Sequence, residues 1–401
     1  MPPYEESIEK AILLMRSFAQ RTGLTSDRPK RRYLWTDAFA VCNFLDLARL
    51  TRERSYADLA LRLVDQVHHV LGRYRADDPR TGWISGLGER EGESHPTRGG
   101  LRIGKALAER RPGEPFDQGL EWDRDGQYFH YLTKWMHALD QVSAATGDPR
   151  FNLWARELAE AAHTAFAHAA GGRAGRRMVW KMSTDLSRPL VTSMGQHDPL
   201  DGLITCTQLE TTAALLSSAA PGPDLQRAVA DFAAMIEGSD LQTEDPLGLG
   251  GLLADAYRVV QLMARGAFED GVLLKRLLAV AQEGLVRYSE HREWQQPASR
   301  RLAFRELGLA IGLAAIERLQ KDTDDGRLCA FGGDELRARL HALGSHVGLR
   351  AAIVSSWLDP EHQRVRTWSE HRDINEVMLA TNLVPDGFLI LAAHSDFPGS
   401  C

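Results

Sequence analysis

The sequence predicts an all-α fold in which helical hairpins stand side by side and close into a ring. Three observations predict it: helical periodicity runs through the chain, strand-like alternation is almost absent, and a helix–turn–helix unit repeats.

The elements follow in order. Ile8, Ile12, Met15 and Ala19 fall on one stripe of an N-terminal helix. Next, "LWTDAFAVCNFLDLARL" leads through "TRERS" into "YADLALRLVDQVHHVLGRY", and later "YFHYLTKWMHALDQVSAAT" leads through "GDPR" into "FNLWARELAEAAHTAFAHA". Both second helices open near an aromatic residue, so Tyr56 and Phe151 occupy corresponding places. Three further pairs match "GLITCTQLETTAALLSS" with "DLQRAVADFAAMIEG", "GLGGLLADAYRVVQLMARG" with "GVLLKRLLAVAQEGLVRYSE", and "LAFRELGLAIGLAAIERLQ" with "DELRARLHALGSHVGLRAAI". The last helix, around "RDINEVMLATNL", lacks a following partner and the first lacks a preceding one; together they complete a ring of about six pairs, because paired helices bury their inner faces only by stacking. The expectation is one domain spanning residues 1–401.

Two connections are long. Residues 75–120 are rich in Gly, Pro and charge yet contain Trp83, Ile84, Leu101 and Ile103, and residues 171–201 are similar in character. Segments of this length are ordered insertions or lids more often than linkers, and both precede inner helices, so they should gather at one mouth of the ring.

Charge narrows the partners. Acidic residues exceed basic ones by 54 to 48, a net charge of −6, which provides no electrostatic footprint for nucleic acid. Cys42, Cys206, Cys329 and Cys401 show no C-x-x-C spacing and read as reduced thiols. The N-terminus carries acids where a signal peptide carries bases, and no apolar run reaches the roughly 18 residues of a membrane span, so a cytoplasmic protein without a membrane partner is expected. Oligomeric state has no signature in the sequence.

The paired helices, the "T-G-D-P-R-F" connector at 146–151, and the acid- and aromatic-rich loops before the inner helices resemble the six-hairpin glycosidase-like superfamily. The resemblance implies an (α/α)6 barrel and a carbohydrate substrate, either a small molecule or an oligosaccharide. It names no particular enzyme family, and rings of helical pairs also serve terpene cyclases, prenyltransferases and lantibiotic cyclases, so function must come from the site.

Candidate residues cluster where inner helices begin. The stretch "LEWDRDGQYFHYLTKW" holds Glu121, Trp122, Asp123 and Asp125 ahead of a helix whose apolar stripe is Tyr128, Leu132, Trp135, Met136, Leu139 and Val142. A second stripe, His130, Lys134, His137 and Gln141, is polar, and Phe129, Tyr131 and Trp135 leave little of the circumference for water. That polar line is expected to face a shared cavity, where a buried Lys134 demands an acid opposite. Asp125 is expected to open the helix, with capping as its simpler role.

Comparable places elsewhere supply Trp35 and Asp37; Gln196, His197, Asp198 and Asp201; Arg305 and Glu306; and Trp368, His371, Arg372 and Glu376. Gln127, Trp180 and Lys181 join them as binding residues. The plainer alternatives are helix caps for Asp37 and Asp201, a Pro turn for Asp198, and a surface ion pair for Arg305 with Glu306. Tryptophan faces stack on pyranose rings while acids, amides and histidines satisfy hydroxyls. A glycoside hydrolase then needs two carboxylates, one protonated and one ionised. The first choice is Asp125 with Asp201 or Asp37, with Glu306 and Glu376 in reserve. Asp125→Asn is then expected to abolish turnover and leave folding intact.

Two other enzyme readings use histidine. His130, His197 and His371 at one mouth would suit an epimerase or isomerase, and Arg305, Arg372 or Lys181 would neutralise a uronate in a lyase. Outside enzymes, the same rim would suit a glycan-binding or scaffold protein. No H-E-x-x-H or Cys/His pattern calls for a metal, no glycine run has phosphate-loop spacing, and no cofactor is expected. "DTDDG" at 322–326 superficially resembles an aspartate-rich metal motif but follows a charged helix end, where a surface turn is expected.

Overall fold

The structure is a computed structural model that describes residues 4–169, 176–216, 222–268, 271–327 and 333–391; Cys329 and Cys401 lie outside them. In chain order the elements begin with α1 (Tyr4–Arg21), α2 (Leu34–Thr51), α3 (Arg54–Leu71), α4 (Glu89–Ser94), α5 (Gln118–Asp123), β1 (Gln127–Tyr128), α6 (Phe129–Thr146) and α7 (Pro149–Phe166). Short strands β2 (Ala167–Ala169), β3 (Arg176–Met178), β4 (Lys181–Met182) and β5 (Pro189–Val191) follow, then α8 (Asp198–Leu215) and α9 (Gln226–Ile236). The remainder is α10 (Pro246–Ala264), α11 (Val272–His291), α12 (Ala303–Asp324), α13 (Gly333–Gly344), α14 (Val347–Leu358), α15 (Arg366–Ser369), α16 (Arg372–Leu383) and α17 (Asp386–Leu389). The chain forms two compact units, one of Met1–Phe18, Asp46–Glu53 and Asp240–Cys401, the other of Ala19–Leu45 and Arg54–Ser239.

In the unit built around residues 54–239, local chemistry sets the α6–α7 hairpin. Gly147 ends α6 at φ 71°, a left-handed conformation that suits glycine, and its N–H closes on Ser143 O. Asp148 then caps α7 by accepting from Arg150 N at 3.0 Å, with Pro149 in the first turn. Tyr56 and Phe151 are each the third residue of their helix and each is buried. The predicted apolar stripe of α6 is buried throughout. Between helices the core is polar: Asp140 on α6 accepts from Asn152 of α7 at 2.9 Å and from Gln208 and Thr212 of α8 at 2.7 and 3.0 Å. These bonds fix helix register with directional contacts where apolar packing alone would tolerate sliding.

The long connection of this unit is ordered. Trp83, Ile84, Leu101 and Ile103 are buried, and Arg80 gathers Asp78, Glu109 and Asp185 at 2.7 to 2.9 Å. β4 pairs antiparallel with β1 and β5, and β2 with β3.

One expectation is corrected here. Asp125 does not open α6: Gly126 sits at φ 141° and Gln127–Tyr128 are drawn into β1, so the helix begins at Phe129.

In the other unit α10 and α12 approach closely through Gly250, Gly308 and Gly312; a Cβ on Gly250 would lie 2.1 Å from Gly308 O, so a side chain there is incompatible with the packing. The helix predicted across 334–353 is two, α13 and α14, parted at Ser345–His346, where the Ser345 hydroxyl turns back onto Ala342 O at 2.7 Å. The "DTDDG" run begins inside the last turns of α12, with buried Asp322 held by Arg327 at 2.9 Å. Among the described residues no helix is long and apolar enough to cross a membrane.

Candidate active site

The titratable groups that converge in a way chemistry can use lie on α6 and α8. Pro199 near the start of α8 presets the first turn and leaves Asp198 and Asp201 one turn apart on one face, with Cβ atoms about 5–6 Å apart at this spacing. Across from them α6 presents His130 and Lys134, also one turn apart. Lys134 Nζ donates to Asp201 Oδ1 at 2.9 Å, with both side chains 11% exposed. The acid that a buried Lys134 demands is therefore Asp201.

Asp198 is different. Its Oδ1 lies 3.6 Å from His130 Nδ1, and its Oδ2, like that Nδ1, is buried without a hydrogen-bond partner among the described residues. Burial first, then the charge of Asp201, pushes the Asp198 carboxyl up to about 8, against the opposing pull of Lys134. A helix N-terminus favours the ionised form by no more than about 1–2 kcal/mol, less than the rise expresses at about 1.4 kcal/mol per pH unit. Asp198 is thus protonated at neutral pH. Burial pushes His130 down to about 4, so its ring is neutral there. Gly195 lies flat against Asp198: a Cβ at Gly195 would stand 2.3 Å from Oδ2.

Aromatic rings pack around His130. His130 stacks within 5.4 Å of Tyr128 and 6.2 Å of Trp180, at interplanar angles of 25° and 15°. Trp35 and Tyr131 meet His130 edge-on at 6.1 and 4.9 Å, and Tyr33 shares a 2.7 Å hydroxyl contact with Tyr131. Trp122, on α5, stands at 79° to Trp180 with centroids 5.0 Å apart. Such surfaces offer apolar faces beside a few polar groups.

Other predicted residues of this unit hold the scaffold. Asp125 is fully buried; its carboxylate accepts from Arg102 at 2.5 Å and from the Gly104 and Gly126 amides at 3.0 and 3.1 Å, tying the long connection to the entry of α6. Asp37 accepts from Tyr33 N at 2.9 Å, satisfying the amide just ahead of α2, and faces Arg32 at 3.5 Å. Glu121 is clamped between Lys181 at 2.9 Å and Arg110 at 3.0 Å, and burial pulls the Lys181 ammonium down. Gln127 bridges Leu101 N, Gly99 O and Thr184 O. His137 contacts Gln208 at 3.2 Å, while Asp123 and Gln196 are exposed and His197 half-buried.

The remaining predicted residues belong to the other unit. Glu306 accepts from Arg301 at 2.8 and 2.5 Å and from Trp357 Nε1 at 2.8 Å, and Trp357 stacks on buried Trp368 at 5.7 Å. Arg305 pairs with Asp245, so the surface pair imagined for Arg305 and Glu306 does not form. Arg372 donates to Glu376 at 2.7 Å, and the exposed His371 ring lies 5.5 Å from Phe304. Among the described residues no group of three or more His, Cys, Asp or Glu is arranged to hold a metal ion.

Sequence reasoning took Asp198 for a turn or binding residue and passed over Tyr33, Tyr128 and Tyr131 as lining. A signal was present: Asp198 and Asp201 share one helical face, and "YFHY" places alternating aromatic residues around His130.

No protein-family model and no curated protein matches the chain. Among solved structures, it is similar to a GH76 α-mannanase of Bacteroides thetaiotaomicron, with a TM-score of 0.53, 9% identity, and 96% of each chain covered. A cellobiose 2-epimerase of Spirochaeta thermophila aligns with a TM-score of 0.43 and 11% identity over 88% of this chain and 87% of its own. The fold is an (α/α)6 barrel.

Proposed function

We propose that the protein is a carbohydrate-active enzyme and, more specifically, a glycoside hydrolase in which Asp198 is the acid and Asp201 the ionised partner. The observation that carries the reading is a buried Asp198 carboxyl facing His130 and a lysine-paired Asp201 one helical turn on, beside the aromatic rings packed on His130. The fold shared with an α-mannanase supports it.

In this reading the Asp198 O–H gives its proton to the glycosidic oxygen as the C–O bond breaks, and the Asp201 carboxylate meets the cationic anomeric carbon. Water then cleaves the resulting Asp201 ester, giving its O–H to the sugar carbon and its other proton to the Asp198 carboxylate, which restores the acid and returns the configuration of the substrate. Lys134 holds Asp201 in place, and the aromatic faces take the C–H surface of the sugar. Asp125, Asp37, Glu121 and Gln127 hold the loops on which the site stands. The test is a panel of glycosides and oligosaccharides followed by NMR, which reads the newly formed reducing end and its first anomer. Release of a reducing end by wild type and not by Asp198→Asn supports the reading.

A second reading has one specific observation in its favour: a neutral His130 beside a protonated Asp198 is also a base and acid suited to sugar epimerisation. Incorporation of solvent deuterium at a sugar carbon, without bond cleavage, would select it.

A further inference from the structure

Trp122 is 46% exposed at the edge of the candidate site, against Trp180, and Leu107, Phe116 and Leu120 of the same stretch of chain are 44, 56 and 40% exposed. Leu107 is brought alongside α5 by its bridge to Arg124 and by its N–H to Asp123 O. Scattered exposed apolar residues need no explanation, but Trp122 sits on an anchored element. Asp117 caps α5 by accepting from Leu120 N at 2.8 Å, and Lys181 Nζ donates to Glu121 O and Arg124 O at 2.7 and 2.8 Å, one on each side of Trp122. The Glu121 carboxylate, next to Trp122 in the chain, is itself clamped by Lys181 and Arg110. Trp122 is therefore exposed on a backbone that cannot easily move to cover it.

The exposed ring is continuous with the buried ones. Trp122 contacts Trp180 at 5.0 Å, Trp180 contacts Tyr128 at 5.2 Å and His130 at 6.2 Å, and His130 faces Asp198. Exposure rises along this line, from Tyr128 at 3% through a half-buried Trp180 to Trp122 at 46%. Exposed Asp123, next to Trp122 in the chain, offers an acceptor to hydroxyls, while Arg124 is held by both oxygens of Glu114.

We infer that Trp122, with Trp180 behind it, forms an outer sugar-binding subsite, so that the substrate is a glycan chain whose outer residue stacks on Trp122 while an inner one lies at Asp198 and Asp201. The inference rests on the proposed function. A site for single sugars gains nothing from an exposed indole on a pinned helix, whereas stacking is a gain that grows with chain length.

The experiment measures affinity by calorimetry for gluco-, manno- and xylo-oligosaccharides of one to six residues, using Asp198→Asn to prevent turnover, with Trp122→Ala and Trp122→Phe added to that background. For one of the series, affinity is expected to rise about three- to tenfold when the chain becomes long enough to reach Trp122. Trp122→Ala should remove that step and Trp122→Phe should restore most of it, with melting temperatures matched. A step that survives Trp122→Ala, or affinity independent of length in the parent, overturns the subsite while turnover of aryl monosaccharides by wild type still upholds the hydrolase reading. Absence of both turnover by wild type and binding by Asp198→Asn overturns the two together.

Discussion

Lys134 Nζ donates to Asp201 Oδ1 across 2.9 Å, joining the second turn of α6 to the start of α8 through an ion pair in which each side chain is 11% exposed. Removing one partner leaves the other as an uncompensated charge in a poorly solvated place. Lys134→Met should destabilise the protein by about 3 kcal/mol and lower kcat, while Asp201→Asn with Lys134→Met should recover most of the stability and none of the activity. Denaturant unfolding of the single and double variants checks this.

The Asp198 carboxyl is raised from 3.8 to about 8, so between those values the folded protein holds a proton that the unfolded chain has released. Stability therefore falls as pH rises through that window, at up to about 1.4 kcal/mol per pH unit. His130, lowered from 6.5 to about 4, acts in the opposite sense but only below 6.5. Between pH 6.5 and 8 the fall should be visible in thermal melts of wild type and reduced in Asp198→Asn, where the remainder comes from His69, which burial lowers but Asp65 and Glu93 together raise. Activity that needs the Asp198 proton should decline above about pH 8.

Asp125 is enclosed by Arg102 and two backbone amides. Asp125→Ala leaves a buried guanidinium without its charge partner and should cost about 3–5 kcal/mol. A melting curve separates this from chemistry: a stable, fully folded Asp125→Ala would show that the pair is dispensable to the scaffold.

Gly195 adopts a backbone conformation open to alanine, since its φ is not among the positive values, yet an added Cβ would meet Asp198 Oδ2 at 2.3 Å. Gly195→Ala should displace the carboxylate and reduce kcat about 100-fold, with little change in melting temperature. Steady-state kinetics beside calorimetry reads both.

Helix pairing was legible because burial writes a 3.6-residue period into α3, α9 and α11, and because "TGDPRF" carries its own cap, proline and left-handed glycine. The break between α13 and α14 was not, since Gly344 and Ser345 are individually compatible with a helix and the outcome rests on tertiary packing. At the site, the pairing demanded by Lys134 was legible as a need for an acid, but which carboxylate would answer was set by distance across helices. Asp125 drew attention by lying among aromatic residues; its arginine, 23 positions earlier in a structured connection, could be found only in three dimensions. The Asp198 proton is a product of burial and of Asp201 together; "HDPLD" shows the second carboxylate one turn on, but not the burial.

The central claim is that Asp198 supplies the proton for glycosidic cleavage. Its most direct measurement is the turnover of an aryl glycoside or oligosaccharide, identified by the NMR panel, in wild type and Asp198→Asn at pH 7. The account predicts cleavage by wild type and a loss of at least about 100-fold in the variant with an unchanged melting temperature. Undiminished cleavage by a folded Asp198→Asn, or no cleavage of any glycoside by wild type, would contradict it.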